Sequence, residues 1–176
     1  MTALPLAVLV HDKGDPIEEA FAAARDALAR RLDLRLAGVV PRFGPPHSNG
    51  RRSMWLDDLR RGDSIPISQD LGAGSTSCCL DPAGIALLSV RLVEAIEARP
   101  DVLFCGRFAK EEIAGRGIRE EGALAVEADI ATLVAVDRAL LDGWIAFAGD
   151  DWTALPPHAE AIVDWVSTLH PLVRTA

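Results

Sequence analysis

Apolar positions come in short blocks whose spacing changes along the chain. Leu4 to Val10 is a continuous apolar run, the pattern of a strand buried on both faces. Ile17, Ala20, Phe21, Ala24 and Leu28 then recur at helical spacing. Asp15 as cap, Pro16 at the first helical position and Glu18 three residues after the cap predict a helix from there to about Arg31. Leu34 to Val40 predicts a second strand, and the Pro- and Gly-rich residues 41–50 a mobile loop. Residues 53–68 read as strand, turn around Arg61-Gly62, and strand, a hairpin that interrupts the β-α alternation. A small-residue loop leads to Asp81-Pro82, a second cap-and-proline start, for a helix to about Ala98. Val102 to Cys105 is a strand, Ile118 to about Ala128 a helix, and Ala131 to Val136 a strand. Ala139 to Phe147 is a helix ending at Gly149, and the last helix lies near Pro157 to Leu169.

Strands separated by helices imply parallel pairing with right-handed crossovers. The prediction is therefore one three-layer α/β domain over residues 1–176, a mainly parallel sheet flanked by helices with an inserted β-hairpin. A chain of this length buries roughly two-thirds of its unfolded surface without a metal or disulfide staple. Eighteen Lys plus Arg against 26 Asp plus Glu give a net charge of −8, which repels a phosphate backbone and excludes general nucleic-acid binding. The opening segment lacks a basic n-region and its apolar part is too short to span a membrane, so a cytoplasmic location is expected. Cys78, Cys79 and Cys105 make an odd count without a spaced framework, fitting a reducing compartment, and the adjacent pair forms a strained disulfide poorly. His11, His47, His158 and His170 are scattered without ligand spacing, so no structural metal is expected. Self-association is left open.

In open parallel sheets, ligands bind beyond the carboxyl ends of strands. The turn 11–16 stands where a phosphate loop would, but it has no G-x-x-x-x-G-K-S/T. Asp15 competes for the helix amides there and Pro16 removes one, leaving His11 and Lys13 as its candidate contacts. The stretch 105-CGRFAKEEIAGRGIR-119 is denser in chemistry. Arg107 and Arg116 can grip an anion through bidentate forks, with Lys110 as a point charge and Arg119 nearby, beside Glu111 and Glu112. Gly115 and Gly117 let backbone approach a ligand, or allow positive φ in a turn. The competing reading is a solvated connection whose charges pair with one another at little energetic gain. Asp70 can bind a cation, orient an arginine or cap a turn, and the last two need no cofactor. The expected partner is a small anionic ligand; the cofactor is left unspecified. An enzyme alternative, an unusual Mg²⁺-dependent nucleotide hydrolase or phosphotransferase, takes Asp12, Asp70, Glu112 or Asp137 as metal ligands, and an interaction-module alternative uses the hairpin and the tryptophans, Trp55 among them, as a contact surface.

The segments 56-LDDLRRGDSIPISQDLG-72, 78-CCLDPAG-84, 104-FCGRFAKEEIAGRGIR-119 and 144-WIAFAG-149 resemble, in order and spacing, the bacterial family catalogued as domain of unknown function 2478. That family is similar in layout to small P-loop nucleoside triphosphatases with a strand-hairpin insertion, so the resemblance implies a degenerate P-loop-like fold. Where those triphosphatases carry D-E-x-G-K-x-E, this chain has Gly106, Arg107, Ala109, Lys110 and Glu112: the metal-binding acid is replaced, while Lys110 and Glu112 remain. The family pattern resembles N-K/R-F-G-K-x-E-x-x-G-R-G, from which this chain departs at Gly106 and Ala109. The family's genes lie near molybdate-transport genes. The resemblance thus implies a non-hydrolysing ligand-binding or regulatory protein for a phosphate-bearing ligand or an oxyanion such as molybdate.

Overall fold

The computed structural model describes residues 4–77 and 79–171; Cys78, half of the vicinal pair, lies outside them. The chain runs β1 (Leu6–His11), α1 (Ile17–Leu28), β2 (Leu36–Pro46), β3 (Arg52–Asp58), β4 (Ser64–Pro66), α2 (Pro82–Glu97) and β5 (Val102–Phe108). There follow the one-turn α3 (Lys110–Ile113), α4 (Arg119–Glu127), β6 (Ala131–Asp137), α5 (Leu141–Ala148), β7 (Thr153–Leu155) and α6 (Ala159–Leu169). One seven-stranded sheet has the order β4-β3-β2-β5-β6-β1-β7. Its five strands from β2 to β7 are parallel, and β3 and β4 are antiparallel additions at one edge. The first parallel strand in the chain lies between the last two, a P-loop-like layout.

Two apolar clusters sandwich the sheet. On one face Ile17, Phe21 and Leu28 of α1 and Ile162, Trp165 and Val166 of α6 pack on Leu9, Phe104 and Leu133. On the other, Leu88 and Leu92 of α2, Ala125 of α4 and Trp144 of α5 cover Val39, Cys105 and Val134. The predicted apolar stripe of α1 is buried in full, from Ile17 to Leu28.

Several local expectations are corrected. Asp15 does not cap α1: Pro16 holds the cap position without a side-chain bond, and Asp15 Oδ2 instead accepts from the Asp12 amide at 2.7 Å, closing the preceding turn. Residues 41–46, expected as loop, continue β2, with Pro41 opposite Leu56 and Phe43 opposite Met54. The insertion is therefore a meander of β2, β3 and β4 that includes the predicted hairpin. β5 reaches Phe108, which places Arg107 on a strand. Strand β7 was not foreseen. By contrast, Asp81 caps α2 as predicted, accepting from the Ala83 amide at 3.0 Å.

These extensions position a site. β2 and β5 pair only as far as Gly38 opposite Phe104. Beyond that rung β2 stays with β3, while β5 shifts register between Phe104 and Arg107 and continues along β6. The strands part, leaving a fork at the carboxyl edge of the sheet.

Candidate functional site

The fork opens into a cleft of about 680 Å³, within the range of ligand pockets. Pro41, Phe43, Met54, Trp55 and Leu56 of the meander form one wall and Pro82, Ile85 and Leu88 of α2 another. Cys105, Arg107, Glu111, Glu112, Arg116 and Gly117 close the third side, with Glu18 of α1 at the end. Arg107 and Arg116 thus line one space, as a shared anion site requires.

Each cation there already has a carboxylate. Arg107 Nη2 donates to Glu18 Oε1, and its guanidinium carbon lies 5.8 Å from the Phe43 ring centre. Arg116 makes a bidentate pair with Glu111, Nε to Oε2 at 2.8 Å and Nη2 to Oε1 at 3.2 Å, which holds the Glu111 carboxyl below the usual range. Arg42 pairs with Asp57 at 3.0 Å and lies 5.6 Å over Trp55. A ligand anion must compete with Glu18 or Glu111.

Glu112 is a backbone clamp. It is buried, with Oε2 accepting from the Ala109 amide at 2.8 Å and Oε1 from the Ile118 amide at 3.1 Å. Those bonds close α3 and pin the start of α4. Gly117, at φ +65, has its missing side-chain position taken by the Glu112 carboxylate, so its small size serves this clamp. Cys105 is buried, and desolvation followed by the charge of Glu121 pushes its thiol up to about 12, so no thiolate faces the cleft at neutral pH.

The remaining predicted residues are dispersed. Lys110 is exposed on α3, and Gly115 turns the loop at φ +78. Arg119 lines a neighbouring cavity, which shares Cys105, Arg107, Glu112 and Ile118 with the cleft. His11 is buried at the end of β1 with Nδ1 donating to the Asp12 carbonyl at 3.1 Å, and Lys13 is exposed in the turn beyond. Asp70 caps a turn: its carboxylate accepts from the Ser48 hydroxyl, the Ser48 amide at 2.8 Å and the Gly72 amide at 3.0 Å.

The Ser48 hydroxyl, then the Ser48 and Gly72 amides, lower the Asp70 carboxyl to about 2. The folded value lies below that of an unfolded aspartate, about 3.9. The contribution of these bonds is therefore full above that value and is lost as pH falls through about 2. A carbon-13 titration of the side-chain carboxyls should place the Asp70 midpoint near 2. A midpoint at the unfolded value would mean that the tie between residues 48 and 70 is not held.

The four acids of the enzyme alternative do not converge. Asp12 pairs with Arg138, Asp137 caps the Ala139 amide at 2.9 Å, and Asp70 and Glu112 are engaged as described. Among the described residues, no group of three or more His, Cys, Asp or Glu is placed to hold a metal ion. Sequence reasoning missed Glu18 as the partner of Arg107, because 89 positions separate them. No helix among the described residues is long and apolar enough to cross a membrane.

The chain is 34% identical over 160 residues to Molybdenum import ATP-binding protein ModC 2 of Bradyrhizobium diazoefficiens, a match that takes in 91% of this chain and 18% of that protein. The chain thus spans less than a fifth of that relative's length. No solved structure matches it. Residues 6–165 match a family model, and the chain belongs to that family, described as Protein of unknown function (DUF2478).

Proposed function

We propose that the protein is a ligand-binding or regulatory module whose forked cleft takes a phosphate-bearing organic molecule. The observation that carries this reading is the joint presence of Arg107 and Arg116 on one large, mostly apolar cleft at the carboxyl edge of the sheet. Three arginines (Arg42, Arg107, Arg116) meet three carboxylates (Glu18, Glu111, Glu112) in the lining. The wall therefore has no net positive charge to attract a bare ion. A ligand gains more by burying an apolar body against Phe43, Trp55 and Ile85 while its anionic group exchanges with Glu18 at Arg107. Binding is favoured over turnover because Glu112 is committed to amides and Cys105 stays protonated.

The relative's printed name supports a link to molybdenum import and keeps molybdate as the second reading. Its ATP binding does not transfer: this chain has no G-x-x-x-x-G-K-S/T, and the match covers 18% of that protein. The small share does suit a module that works beside an ATP-binding component.

Calorimetry with AMP, ATP, GTP, phosphate, sulfate, molybdate and tungstate, with and without Mg²⁺, tests the reading. A nucleotide is expected to bind, and Arg107→Ala to weaken it tenfold or more, about 1.4 kcal/mol. Selective molybdate binding lost in the same variant would favour the oxyanion. Silence across the panel would overturn the cleft as an anion site, and Mg²⁺-dependent phosphate release from ATP would replace it with a hydrolase.

A further inference from the structure

A second cavity, of about 250 Å³, lies between α4, α5 and the sheet. We infer that it is a second binding site, adjoining the forked cleft, for a small apolar molecule carrying one anionic group, with Arg119 as the head-group contact. Its walls include Phe108, Val134, Trp144 and Phe147, with Gly122 and Val126 of α4 on the near side. It opens to solvent on the side of Val126 and Glu127, both exposed. Apolar cavities of ~150 Å³ already hold benzene, so this one admits a larger body.

Gly122 leaves open space on the α4 wall. It sits inside α4, where glycine is a poorer helix former than alanine, and it has no positive φ to require it. Nor does packing demand it: a Cβ built there meets nothing within 4 Å. What the glycine does is keep the α4 wall low.

Arg119 supplies the charge. Its guanidinium carbon lies 4.5 Å over the Phe147 ring and Nη1 donates to the Glu112 carbonyl at 3.3 Å, yet no carboxylate pairs with it among the described residues. That distinguishes it from Arg116 and from Arg107, which also lines this cavity but is paired with Glu18. Of the two acids in the lining, Glu112 is held by amides and Glu127 is exposed to solvent. An apolar chamber with an arginine on its wall that lacks an ion-pair partner suits an aliphatic or aromatic carboxylate. Trp144, nine-tenths and more buried on the same wall, has an indole N–H without an acceptor, which makes it a reporter as well as a wall.

The test titrates the full chain with sodium octanoate and with 1-octanol, following the indole N–H signals by NMR, that of Trp144 being identified by its loss in Trp144→Phe. Octanoate is expected to move the Trp144 signal saturably. Arg119→Gln should weaken octanoate tenfold or more while changing 1-octanol less than twofold, and Gly122→Leu should abolish both. If Gly122→Leu does not fold, Gly122→Ala should weaken both ligands. A Trp144 signal that ignores octanoate, or octanoate binding untouched by the filled cavity, would overturn the site. Equal loss of both ligands in Arg119→Gln would remove the head-group role. Arg107 lines both spaces, so the cleft is tested apart from this site with Arg116→Ala and nucleotides, and this site with Arg119→Gln and octanoate; either can fail alone.

Discussion

Gly38→Ala should destabilise the protein by about 4 kcal/mol or more, lowering its melting temperature by roughly 8–16 °C at the usual sensitivity of a domain this size. Two costs coincide at that position. Gly38 holds φ +91, a conformation that L side chains rarely adopt. A Cβ there would also fall against the carbonyl oxygen of Phe104, 2.8 Å from its nitrogen and 2.9 Å from its carbonyl carbon. These are backbone atoms of a strand held between β2 and β6, so the neighbour cannot rotate away. Gly50→Ala is the control: its φ is +79 but a Cβ there meets nothing within 4 Å. It should cost only the conformational part, about 1 kcal/mol. Urea denaturation of both variants separates the terms, and equal losses would show that the Gly38 contact is relieved by a small shift. The position matters for function because Gly38 opposite Phe104 is the last rung before the fork.

The sequence carried the parallel framework because buried strands and amphipathic helices leave strong periodic traces. Leu4 to Val10 and the stripe from Ile17 to Leu28 are examples. The upper half of β2 left a misleading one. Pro41, Pro45 and Pro46 look like loop, but past Gly38 the strand pairs with β3 alone, and a strand open on one side tolerates missing amides. Strand β7, three residues long, is too short for any pattern to register. At the site, the basic stretch 105–119 was legible as a cluster of cations, and Arg107 and Arg116 do share a cleft. Their neutralisation by Glu18 and Glu111 was not, since a side-chain partner depends on where a separate helix begins or a loop folds back. Glu112 illustrates the limit best: an acid in a motif suggests chemistry, whereas its burial against two amides is visible only once the loop is folded.

For that reason Glu112→Ala should behave as a folding variant. Removing the carboxylate leaves the Ala109 amide, on an exposed residue, and the buried Ile118 amide without acceptors. At the usual cost of one stranded buried amide, the loss is about 2 kcal/mol, or roughly 4–8 °C in melting temperature. Glu112→Gln restores one acceptor but turns an NH₂ group toward the other amide, so it should fall between wild type and alanine. The damage should be local as well as global: with residues 109–118 released, Arg107 and Arg116 lose their common wall, and ligand binding in the forked cleft should weaken in parallel with stability. A metal-binding or catalytic glutamate would give another pattern, with the glutamine variant folded at wild-type stability and only turnover abolished. Thermal melts of the three proteins, each repeated at saturating concentration of whichever nucleotide binds, distinguish the two. Wild-type stability in both variants would show that the clamp does not hold the loop, and the shared anion site that depends on it would fall with it.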